Sequence, residues 1–174
     1  MKKEDNFKEQ FKQALISTIK VISEEYKIDS NIKKNQSSNN YNFFELDNLN
    51  NKQDYTNLRA ETDSEALKRK FSDKLIYNKN LPKNNTCRSL YDVSEKIRYE
   101  ILGTKMLKGI SKNLRENYIN KISLKRKDQL KSKEDVNISE AFELYMLKNF
   151  FNIHLNPQSE KILNFWVKDF KKSF

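Results

Sequence analysis

The sequence predicts a mainly α-helical single domain of about five to seven helices, with room for a short strand or hairpin around residues 28–50. Apolar residues recur at three- and four-residue steps along most of the chain, the signature of amphipathic helices. At 174 residues the chain is long enough for one domain with a real core and too short for two comfortable ones. Only 36% of residues are hydrophobic and 33% are charged, yet eleven Phe, eight Tyr and one Trp supply the bulky anchors that disordered chains lack.

Phe7, Phe11, Ala14, Leu15, Thr18, Ile22 and Tyr26 form one stripe and predict a helix over roughly positions 4–27. Ser, Asn and Lys then dominate to Asn40, YNFFEL at 41–46 reads as a short strand, and 47–54 reads as a loop. A second helix is expected from near Asp54 or Thr56 to near Ser72 or Asp73, with Leu58, Thr62, Ala66 and Leu67 on one face. Pro82 and the adjacent asparagines mark a boundary, and Thr86 is the expected N-cap of the third helix.

In that third helix Leu90, Val93, Ile97 and Ile101 fall within about 40° of one direction, whereas Arg88, Tyr91, Glu95 and Arg98 cluster over roughly 80° on the opposite side. Glu95 and Arg98 are in i, i+3 contact range. The only two glycines of the chain follow: Gly103 is expected at or near the break before a fourth helix, and Gly109 inside that helix at a close approach of another backbone. Leu107, Ile110, Leu114 and Tyr118 make the fourth apolar stripe, with Lys105, Lys108, Lys112 and Arg115 about 120° away. The basic tract at 125–135 reads as a solvated helix end or linker. The last forty residues read as a helical hairpin: Phe142, Tyr145, Met146 and Phe150 line its first arm, and Pro157 opens a second arm holding Ile162, Leu163, Trp166, Val167 and Phe170.

Enzyme signatures are missing: there is no phosphate loop, no GxGxxG, no HExxH and no paired CxxC. His154 falls in an inter-helix loop, and Cys87 is a lone thiol with no histidine in its segment. Asp63, Asp73, Glu95 and Glu100 could in principle assemble a carboxylate site for a divalent cation, but salt bridging along helix faces is the role expected of them. The net charge of +10 suits nucleic acid, an anionic membrane or an acidic protein, and an AT-rich codon bias toward Lys, Asn and Ile would also raise it. The stripe from Lys105 to Arg115, continued to Lys133, could track phosphates, but aromatic residues for base stacking are scarce beside it. No signal peptide or membrane span is evident, so a cytoplasmic location is expected.

The order of residues in RAETDSEALKRKFSD, a later Pro, and RSLYDVSEKIRYEILGTKMLKGISKN resembles the N-terminal domain of the cobaltochelatase subunit CobT. The positions that carry the resemblance are Arg59, Asp63, Ala66, Leu67, Asp73, Pro82, Arg88, Glu95, Arg98, Glu100, Gly103, Met106, Gly109 and Asn113. Where the family tends to place histidines, this chain has Ser72 and Tyr77. The acidic linker and von Willebrand factor A-like domain that follow in such proteins are absent from this sequence, so 1–174 is expected to be the single helical domain. The resemblance implies a subunit of a ligase complex that inserts cobalt into a corrin ring during cobalamin biosynthesis, with no active site or cofactor of its own. The complex would use ATP, Mg and Co. The implied partners are an AAA+ subunit (CobS-like) and a large tetrapyrrole-binding subunit (CobN-like), with no membrane and no nucleic acid. Arg59, Asp63, Arg88, Glu95, Arg98 and Glu100 are the expected partner-binding residues, and Gly103 and Gly109 the structural glycines. The alternative reading is a basic helical nucleic-acid-binding module.

Overall fold

In the computed structural model residues 2–26, 51–123 and 132–173 are described, with side chains over 6–26, 51–123 and 132–172. Their regular structure is entirely helical, as the periodicity predicts: α1 (Lys2–Ser23), α2 (Lys52–Phe71), α3 (Lys74–Asn80), α4 (Asn85–Met106), α5 (Lys108–Ser123), α6 (Ile138–Phe150), α7 (Pro157–Asn164) and α8 (Val167–Ser173), with a 3-10 turn at Lys133–Asp135. The strand or hairpin expected around 28–50 lies outside the described residues, as does most of the basic tract.

Asparagine starts four of these helices. Asn51, Asn84, Asn137 and Asn156 each accept a hydrogen bond from a backbone N–H of the first helical turn, and Asp73 does the same for α3. Such a cap satisfies a donor that the helix cannot, worth about 1 kcal/mol. Asn51 and Asp54 complete a reciprocal box at the start of α2. The cap of α4 is thus Asn84 rather than Thr86, because the helix opens two residues earlier than the turn signals suggest.

α2 is the hub. It packs on α1 along one side and on α4 and α5 along the others, while α4 reaches across to α6, and α6 gathers α7 and α8. A continuous core joins Ile19 and Ile22 of α1 to Ala66 and Leu67 of α2, Ile97 of α4, Leu114 and Tyr118 of α5, Phe142 and Leu147 of α6, and Phe170 of α8. Burying a side chain of Leu, Ile or Phe size stabilises by about 1.5–3 kcal/mol, so this seam holds the helices together.

The stripes shift in two places. In α1 the buried residues are Leu15, Ile16, Ile19 and Ile22, whereas Phe7 and Tyr26 of the expected stripe are exposed. Phe7 instead stacks on Phe11, and Tyr55 of α2 meets both rings edge-on. In α6 Phe150 is exposed, and Ala141, Phe142, Leu144 and Leu147 face the core. The last arm is two short helices, since a turn at Phe165 and Trp166 separates α7 from α8. α3 is an addition that no apolar periodicity announced, and it has no buried residue.

Candidate functional site

Five motif residues meet where α2, α4 and α5 pack together. Arg59 and Asp63 sit one turn apart on α2, with Arg59 Nε 3.4 Å from Asp63 Oδ1. Asp63 is fully buried, and its other oxygen accepts a 2.7 Å hydrogen bond from Asn113 Nδ2 of α5. One residue further along α2, Ser64 donates at 2.6 Å to Glu100 of α4, whose second oxygen accepts from the Tyr118 hydroxyl of α5 at 2.5 Å. Three helices are therefore tied by two carboxylates. Gly103, the fifth, lies one turn beyond Glu100 against α2.

Burial raises the carboxyls of both Glu100 and Asp63 above their ordinary range. Lys96 opposes the rise at Glu100, as do the hydroxyls of Ser64 and Tyr118, while Asn113 and Arg59 oppose it at Asp63. Lys96 stands over the Tyr118 ring at 5.1 Å and 3.7 Å from Glu143 of α6, extending the network toward the surface. Burial likewise pushes the Tyr118 hydroxyl well up. A buried carboxylate without partners would cost several kcal/mol, so these bonds are what permit the charged motif residues in the interior.

Glu95 and Arg98 lie on the outer face of α4 and pair there, Arg98 Nη2 reaching Glu95 Oε2 at 2.8 Å. The same nitrogen also donates to the carbonyl of Phe71 at 2.9 Å, closing the last turn of α2. The bond to Glu95 raises the Arg98 guanidinium further. Arg88, one helix turn before Tyr91 and Asp92, is exposed. Of the six residues expected to meet a partner, then, Arg88, Arg98 and part of Glu95 and Arg59 are accessible, while Asp63 and Glu100 are inside the fold because they serve as the polar ties between helices.

The two glycines exchange their expected roles. Gly103 lies inside the last turn of α4, with the helix continuing to Met106, and a Cβ built there would overlap the buried side chain of Leu67 on α2. Gly109 is exposed in the first turn of α5, and nothing lies within 4 Å of its added Cβ. The close approach belongs to Gly103. It also explains why Leu67 and Gly103 occur together in the motif.

The expected basic stripe is only half a stripe. Arg115 donates to the carbonyls of Phe151 and Asn152, where Asn152 takes a left-handed φ of 51° to end α6. Lys112 lies 3.9 Å from Glu116, which leaves Lys105 and Lys108 as its cations with neither a side-chain hydrogen bond nor an ion pair among the described residues. Asp73 at the start of α3 and Glu95 on the outer face of α4 lie apart from the buried Asp63 and Glu100, and no group of three or more His, Cys, Asp or Glu among the described residues could hold a metal. Cys87 and His154 are exposed, the first in the opening turn of α4 and the second between α6 and α7. No described helix is long and apolar enough to cross a membrane.

A family model described as cobalamin biosynthesis protein CobT matches residues 5–173, nearly the whole chain. The chain belongs to the CobT family. Membership implies a cobaltochelatase role in cobalamin biosynthesis. Comparison with curated proteins and with solved structures returned no match. The roles of Asn113, Ser64 and Tyr118 in this CobT-family fold were not evident from sequence. Asn113 matched the motif without a partner to explain it, and Tyr118 counted as an apolar stripe residue. Their only advance signal was that two acidic residues, Asp63 and Glu100, stood near apolar faces and needed donors.

Proposed function

We propose that this CobT-family chain is a non-catalytic docking domain of an ATP-dependent cobaltochelatase. It engages an AAA+ subunit (CobS-like) that hydrolyses ATP, and with it a large subunit (CobN-like) that holds the corrin ring receiving cobalt. The observation that carries this reading is the family match over residues 5–173. Two structural facts support it. The motif carboxylates Asp63 and Glu100 are consumed in helix packing and present no reactive group. The outer face of α4, by contrast, offers the bonded pair Glu95 and Arg98 together with the exposed Arg88, which a partner could read.

The test is binding to the AAA+ subunit by pull-down and titration. Arg88→Ala is expected to weaken binding several-fold with an unchanged thermal midpoint, because Arg88 has no ion pair among the described residues. Glu95→Ala and Arg98→Ala, checked for folding, are expected to weaken it further. Wild-type binding that all three variants retain would remove the docking face from α4.

A further inference from the structure

α3 is built inside out. Leu75 and Ile76, its two large aliphatic residues, are 80% and 60% exposed, and none of its seven residues is buried. What holds it is polar and aromatic: Tyr77 donates to Asp92 of α4 and its ring lies 5.3 Å from that of Tyr91. Asp73 accepts from the backbone N–H groups of Leu75 and Ile76 at 2.7 and 3.1 Å, fixing the first turn. Scattered exposed aliphatics are ordinary on a protein surface. A helix that turns its tyrosine inward and both its aliphatics outward, with that tyrosine bonded to α4, is a different matter.

The charges around this pair are one-sided in what they leave available. Lys74, Lys79, Lys83 and Arg88 form no ion pair among the described residues, whereas Asp73 is committed to the cap of α3 and Asp92 to Tyr77. Lys79 follows Leu75 by four residues and Ile76 by three, so it rises on their side of the helix. The Tyr77–Tyr91 ring contact and the Tyr77–Asp92 bond join α3 to α4, the helix that carries Arg88, Glu95 and Arg98. The bond to Asp92 pushes the Tyr77 hydroxyl up to about 12, so it remains a donor across the physiological range.

From this geometry we infer that Leu75 and Ile76, with Lys74 and Lys79 on the same short helix, form the apolar centre of the docking surface and receive an acidic amphipathic segment of the AAA+ partner. The inference rests on the reading that the outer face of α4 docks that subunit. An apolar centre inside a charged rim is the usual anatomy of a protein interface, and a pre-ordered surface lowers the entropy lost on association. The unpaired cations select an acidic occupant and speed its approach.

The experiment titrates the AAA+ subunit with wild type, with Leu75→Gln/Ile76→Gln, and with Lys79→Glu. The double variant is expected to weaken binding at least tenfold with unchanged circular dichroism and thermal midpoint. Lys79→Glu is expected to slow association and flatten its salt dependence. Wild-type binding that the Arg88 and Arg98 variants weaken but the Leu75/Ile76 variant does not overturns this inference alone. No wild-type binding overturns the functional reading beneath it as well. Two other occupants remain distinguishable: a wild-type dimer in analytical ultracentrifugation that Leu75→Gln/Ile76→Gln abolishes would assign the face to a second copy. Labelled duplex DNA bound at low salt and lost with Lys79→Glu would assign it to nucleic acid. Either result overturns the inference.

Discussion

Helix α4 carries two glutamates of the same motif on two different sides, and their surroundings have almost nothing in common. Glu100 is 1% exposed and held by hydroxyls from α2 and α5, whereas the side chain of Glu95 is 21% exposed and held by Arg98 on its own helix. The inner residue joins helices that are far apart in sequence. The outer one positions an arginine that ends α2 and faces solvent. A charged motif is therefore no guide to a charged surface, because the side of the helix decides whether a carboxylate is a tie or a recognition group.

The strongest way to break this comparison is at the inner side. Glu100→Ala strands the hydroxyls of Ser64 and Tyr118 and leaves a void, and should cost about 3 kcal/mol, or roughly 10 °C in the thermal midpoint. A loss no larger than that of a surface substitution would mean the junction is not a tie. The pH dependence sharpens the same point. Burial holds the folded Glu100 carboxyl above its ordinary value of 4.5, so the folded chain binds this proton more tightly than the unfolded chain does. That contribution is complete below the unfolded value and is lost as pH rises through the folded one. Measured by denaturant unfolding, the stability of wild type minus that of Glu100→Gln should fall as pH rises above the ordinary carboxyl value and through the raised folded one. A difference that is flat or rises with pH contradicts the buried acid.

The next effect is steric. Gly103→Ala gains about 1 kcal/mol of helix propensity but forces Leu67 out of its packed position, which typically costs about 1–3 kcal/mol, so net destabilisation is expected. Gly109→Ala meets nothing and should stabilise by about 0.5–1 kcal/mol. Thermal unfolding of the two variants should move in opposite directions, and a shared sign would refute the close contact at Gly103. Arg98→Ala should cost about 1 kcal/mol, chiefly the bond to the Phe71 carbonyl, with the exposed pair to Glu95 adding a few tenths. Hydrogen exchange at the end of α2 is the local readout.

Much of the fold was legible because helices declare themselves through period. The stripe Leu90, Val93, Ile97 and Ile101 points at the core as drawn, and the helix start at Pro157 follows from its fixed φ and missing donor. What escaped had no periodic signature. α3 is only seven residues long and buries none of them, so no stripe existed to find. The inward turn of Glu100 depends on Ser64 and Tyr118, which lie 36 and 18 residues away, and no local pattern encodes that distance. The glycine roles were exchanged because a break and a close approach both favour the smallest residue, and only the position of Leu67 distinguishes them.

The reach of the polar junction also says something about how the chain assembles. The bond from Asn113 to Asp63 closes a loop of 50 residues, and the one from Ser64 to Glu100 closes 36. Helical turns form in under a microsecond, whereas contacts this remote require loop closure before they return any enthalpy. The carboxylates must therefore shed water only after α2, α4 and α5 have met through their apolar stripes. Helices docked in a wrong register would bury two acids without their donors, which costs several kcal/mol, so the junction also penalises misdocked packings.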